Sequence, residues 1–191
     1  MKNLILTVLT FFTFISCATV PSKSLNAENF RLNENEGAIA GVIGILKRTY
    51  SSGSNIYYIN KDIEQLISQD KNNKQKFALQ IGTGAADPKT IADFQKGKED
   101  KYVYFFFVLK EKPGNYNFNE YTYFFNSGYI QELVGYPIKQ NLEFNIEKGK
   151  IKYFGTMFLD SRNRELIYTN EFKNSDLQKF KEKLPHINII E

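Results

Sequence analysis

The 191-residue sequence has no tryptophan, a single cysteine and a single histidine. With one thiol, Cys17, no disulfide can form within the chain, so cysteine does not staple the fold. The lone imidazole, His186, follows Pro185 near the C-terminus, with no cysteine or carboxylate cluster at ligand spacing around it. No serine stands in a G-x-S-x-G elbow. The Gly41-x-x-Gly44 spacing matches neither the dinucleotide nor the P-loop fingerprint. Asp160 to Glu165 lacks the glycine and ligand spacing of a calcium loop. Charge of one sign is also missing: 25 basic and 21 acidic side chains leave a net +4. The nearest basic run, Lys71, Lys74 and Lys76, lies among asparagines and glutamines and reads as a solvated loop. These absences argue against a nucleic-acid partner, and give no catalytic, metal-ligating or cofactor-binding residue to name. No period of 20–50 residues repeats.

One long apolar run is present. Leu4 to Ile15 is interrupted only by threonines, follows Lys2, and precedes the small residues Ser16, Cys17 and Ala18. At 1.5 Å per residue this run reaches only about 18 Å, against roughly 30 Å of hydrocarbon, so it reads as an export leader rather than a permanent span. Two cleavage sites compete. Ser16 and Ala18 make an A-x-A-like pair, and cutting after Ala18 would release a chain without cysteine.

The alternative is Phe14-Ile15-Ser16-Cys17, which resembles the lipobox of bacterial lipoproteins, although leucine is usual where Phe14 stands. The resemblance implies diacylglycerol on the Cys17 thiol, cleavage before it by signal peptidase II, and acylation of the new amino terminus. It further implies an envelope location, and the lack of aspartate at position 18 is compatible with sorting to an outer membrane. One acyl chain holds marginally and two hold stably, so a triacylated cysteine is a firm anchor. The chain then divides into a leader over 1–16, a lipidated cysteine with flexible tether over 17–29, and a domain over 30–191.

That domain reads as β. Its surplus is aromatic, 17 Phe and 12 Tyr, residues that favour strands. Gly37 to Leu46 is small and apolar, the pattern of an inner strand closely approached by a neighbour. Asn55–Asn60 and Lys76–Ile81 are further strands, with short helices expected over Asp62–Gln69 and from Asp87-Pro88 to Phe94. Tyr102 to Leu109 is apolar on both faces and should be central and covered on both sides. Pro113-Gly114 turns the chain into Tyr116–Phe125, a hairpin-like unit. Leu142–Ile146 and Ile151–Leu159 follow as a later pair, with Gly155 at a bulge. A C-terminal helix is signalled by a Ser175/Gln178 capping box, an apolar face of Leu177, Phe180 and Leu184, and Pro185 as its stop.

The strand, Pro-Gly turn and tyrosine-bearing return strand over 102–125 resemble prealbumin-like bacterial β-sandwich domains. The segment Phe144 to Leu159 looks like a stretch in uncharacterised bacterial β-sandwich lipoproteins. The fold expected is therefore mainly β, a single antiparallel sandwich with short peripheral helices and a C-terminal helix.

Candidate chemistry is sparse. Glu99-Asp100 and Asp160 are the visible loop carboxylates, read first as solvated turn residues. Tyr121, Tyr123, Tyr129 and Tyr136 flank Asn126-Ser127-Gly128 and offer either a glycan platform or core packing. The leading expectation is a non-enzymatic envelope lipoprotein, a structural or interaction module with an unidentified protein partner. A glycan- or small-ligand-binding lipoprotein comes second, a hydrolase third.

Overall fold

The computed structural model describes residues 20–21, 30–46, 52–63, 77–82, 95–96, 102–126 and 129–190. Its strands are β1 (Val20–Pro21), β2 (Gly37–Leu46), β3 (Ser52–Asn60), β4 (Phe77–Gly82), β5 (Gln95–Lys96) and β6 (Tyr102–Glu111). There follow β7 (Gly114–Asn126), β8 (Gln131–Ile146), β9 (Ile151–Asp160), β10 (Glu165–Thr169) and β11 (Ile189–Ile190), with a C-terminal helix at Lys173–Lys183. They form two sheets, ordered β1-β4-β3-β7-β8 and β10-β9-β2-β6-β5, and β11 adds to β9. The mainly-β sandwich matches the sequence reading. Most pairs are antiparallel; β2–β9, β1–β4 and β9–β11 run parallel.

Alternation of side chains explains why the chain changes sheets where it does. In β6, Phe105, Phe107 and Leu109 point into the space between the sheets. Phe106 and Val108 point the other way, against Phe30, Phe180 and Leu184. A strand buried on both faces belongs in a middle layer, whereas the described side chains that β7 buries, Tyr116, Phe118, Tyr121 and Tyr123, all join the core between the sheets. The Pro113-Gly114 turn is therefore not a hairpin. Beyond it β7 pairs with β3 and β8 in the first sheet, while β6 pairs with β2 in the second. The turn over 147–150 does the same, carrying the chain from β8 to β9.

Glycine sets the spacing around β2, every residue of which is buried. A Cβ on Gly41 would lie 2.7 Å from the Gly155 carbonyl oxygen and 2.7 Å from Phe107 Cζ. The β2–β9 register steps there, from Ala40 opposite Tyr153 to Gly41 opposite Gly155, which leaves Phe154 as the extra residue of a bulge. Gly155, at φ +132°, absorbs the bend expected at that position.

The C-terminal helix and residues 30–32 cover the outer face of the second sheet, making three layers. The helix begins earlier than the capping-box pattern implies. Phe172 is its N-cap, and the Ser175 hydroxyl lies inside the first turn, donating to the Phe172 carbonyl at 2.8 Å. Burial of Asp176 and Phe180 against the sheet fixes the start, overriding the local cap signal. Residues 61–63 are helical; the rest of the Asp62–Gln69 segment and the helix from Asp87-Pro88 lie outside the described residues. Within the stretch read as a tether, Val20 and Pro21 pair with Phe77 and Ala78.

Candidate functional site

At one end of the sandwich β2, β4, β7 and β9 begin and β3, β6 and β8 finish. Between residues 30–32, the 149–151 strand entrance and the 186–190 tail lies a groove of about 630 Å³. Phe30, Leu32, Ile151, Ile187 and Ile190 make its apolar floor, and Arg31, Lys150, His186 and Asn188 its polar rim.

Backbone hydrogen bonds fix these walls. The Ala38 amide donates to the Lys150 carbonyl at 2.8 Å and the Gly149 amide to the Glu36 carbonyl at 2.8 Å. The helix closes through Leu184 N–H on the Phe180 carbonyl, and Ile187 N–H then bonds the Leu184 carbonyl, turning the tail into β11. Glu36 and Glu147 hold the surrounding turns. Burial pushes Glu36 upward, but the Asn33 amide and Lys110 outweigh it and leave the carboxyl below its usual value. Lys150 and Lys152 both donate to Glu147, holding it down at about 2.

His186 sits exposed on this rim. Among the described residues that line the groove there is no carboxylate. What the groove offers is an apolar bed with cationic and amide groups at its lip, suited to an amphipathic or anionic ligand.

The other candidates separate. Cys17, Glu99, Asp100, Ser127, Gly128 and the lysines at 71, 74 and 76 lie outside the described residues. Asp160 is consumed by its own turn, since Arg162 N–H and Asn163 N–H donate to one oxygen and Asn163 Nδ2 to the other. Among the described residues no three His, Cys, Asp or Glu side chains group to hold a metal.

The tyrosines do not form a platform. Tyr121 and Tyr123 are buried in the core between the sheets. Burial first, then the charge of Tyr136, Glu165 and Asp160, pushes the Tyr121 phenol up to about 12. Tyr136 packs beside Tyr121 at 5.6 Å between rings, while Tyr129 is fully exposed at the tip of the β7–β8 hairpin. The aromatic surplus thus serves the core, where each buried ring contributes roughly 2–3 kcal/mol. The groove escaped sequence reading because three separate segments make it, one of them more than 100 positions before the other two. The one local hint was an apolar tail following a helix-stopping proline.

No protein-family model matches the chain, and no curated protein does. Among solved structures it is similar to a leucine-rich repeat protein from Bacteroides thetaiotaomicron VPI-5482. That likeness has 13% identity and a TM-score of 0.34, over 78% of this chain and 16% of the other. A match this loose transfers neither fold nor activity.

Proposed function

We propose that this chain is a bacterial envelope lipoprotein, anchored by acyl chains on Cys17 and acting without catalysis as an interaction module at the membrane surface. The observation that carries the reading is the short apolar leader ending in Phe14-Ile15-Ser16-Cys17. Two features support it. Among the described residues no helix is long and apolar enough to cross a membrane, so a lipid would supply the hold that the domain's helix does not. The walls of the groove present no acid–base pair around His186.

Phase separation in a nonionic detergent tests the anchor. Full-length protein from its native host should enter the detergent phase, and Cys17→Ala should move to the aqueous phase. A mature N-terminus at Thr19 with no added mass would end the proposal.

The groove favours a second reading, a lipoprotein that carries a small amphipathic ligand. Extraction of purified protein with organic solvent, followed by mass spectrometry, should then recover one class of molecule, and Ile187→Arg should abolish its recovery.

A further inference from the structure

The geometry points to the end of the sandwich that carries the groove as the face seated on the lipid headgroups, with the β7–β8 hairpin held away from them. This rests on lipidation of Cys17 and adds an orientation to it.

Strand register supplies the first argument. β1 runs parallel to β4 with Val20 opposite Phe77, and Phe77 lies opposite Tyr58, two residues before β3 ends at Asn60. Followed backwards, the chain therefore leaves β1 toward the end where β3 stops and β7 starts. Only three peptide steps separate Val20 from Cys17. At a maximum of about 3.6 Å each, the lipid-bearing residue stays within roughly 11 Å of Val20. The opposite end is far outside that radius, because a strand as long as β7 covers about 40 Å.

Charge supplies the second. Arg31, Lys112 and Lys148 are exposed at this end, on the groove rim and on the two turns that join the sheets. Neither Lys112 nor Lys148 forms an ion pair among the described residues. Of the carboxylates nearby, Glu36 pairs with Lys110, Glu143 with Lys61, and Glu147 with Lys150 and Lys152. Asp62 and Glu111, which accept from the neutral Asn115 amide and Tyr58 hydroxyl, and Glu34 keep their charge and offset much of the outward cations, so the excess here rests mainly on the second lysine at Glu147. Cations are drawn to an anionic surface, so the excess that remains adds to the bias set by the short tether.

The hairpin at the other end has the opposite character. Tyr129 is 101% exposed and Leu133 68%, which leaves an apolar tip free of the bilayer in this orientation.

The absence of tryptophan makes the test clean. Lys148→Trp and Tyr129→Trp each give a single-tryptophan protein. Both are purified in full-length lipidated form and placed in phosphatidylcholine–phosphatidylglycerol vesicles containing a nitroxide-headgroup lipid. The Lys148→Trp signal should be quenched several-fold more than the Tyr129→Trp signal. Removing phosphatidylglycerol should narrow the difference, and an unchanged difference would overturn the headgroup contact. Equal quenching in protein that co-floats with vesicles overturns the orientation while leaving the anchor standing. Protein that does not co-float removes both.

Discussion

The Tyr58 hydroxyl, on β3 of one sheet, donates to Glu111 Oε1, on β6 of the other, at 2.8 Å. This polar link crosses a layer of aliphatic and aromatic side chains. The Tyr58 ring stacks on Phe77 at 5.3 Å and meets Phe118 edge-on at 5.7 Å. Burial, reinforced by the Glu111 charge, raises the phenol well above its ordinary range, so it stays protonated and donating.

Tyr58→Phe should therefore keep the packing and lose the link. Urea denaturation should give a loss of about 1–2 kcal/mol, the scale of one part-buried hydrogen bond to a charged acceptor. Tyr58→Ala should cost about 3–5 kcal/mol because it also opens a cavity. Equal losses in the two variants would mean that the hydroxyl, not the ring, carries the position.

Gly41 and Gly149 separate two reasons for glycine. At Gly41 an added methyl meets backbone and a core ring at 2.7 Å, so Gly41→Ala should destabilise by about 1–3 kcal/mol through overpacking. At Gly149 nothing lies within 4 Å, but φ is +71°, and Gly149→Ala should cost only about 1 kcal/mol. Thermal melts of the two variants would rank them, and a larger loss at Gly149 would contradict the close-approach account of β2.

Local patterns were legible where one residue type decides the outcome. Gly37–Leu46, the doubly apolar Tyr102–Leu109 and the bulge at Gly155 each follow from their own side chains. Pairing was not legible, because a turn such as Pro113-Gly114 serves a hairpin and a crossing between sheets equally well; the choice depends on what covers the far face of β6. β10 escaped because Glu165–Thr169 is short and only Leu166 and, in part, Tyr168 meet the core. The groove escaped for a different reason, being made by three segments that meet only in the fold.

Asp176 is a case that pattern alone misses, a charged residue on the buried side of the C-terminal helix. Its Oδ2 accepts from the Tyr153 hydroxyl at 2.7 Å and the Thr156 hydroxyl at 2.7 Å. Asp176→Ala should strand both donors and cost about 1–3 kcal/mol. Burial raises this carboxyl, and the two hydroxyls and Lys179 only partly oppose it. A raised acid binds its proton more tightly folded than unfolded, so its contribution is greatest below the unfolded value of 3.8 and falls as pH rises through the folded value. Wild type should therefore lose melting temperature relative to Asp176→Asn as pH climbs from about 4. Parallel curves would remove the argument.

The carboxylates around the groove titrate with the opposite sign. Glu36 and Glu147 are held below 4.5, as is Glu143 beside Lys61, and Asp62 is held below 3.8 by the Asn115 amide. Each binds its proton more weakly folded than unfolded. Their stabilisation is complete above those unfolded values and is lost as pH falls through the folded ones, for Glu147 at about 2. Glu147 joins the 147–150 turn to the start of β9, so acid should loosen the groove end before it disturbs the aromatic layer. Amide hydrogen exchange on lowering the pH should show Gly149 and Lys150 losing protection ahead of Phe105 and Phe118. Glu147→Gln, which lacks the charge at every pH, should show weaker protection at Gly149 already at neutral pH and a smaller further change on acidification. Simultaneous loss of protection at all four amides would mean that the carboxylates stabilise the fold as one unit rather than holding its end.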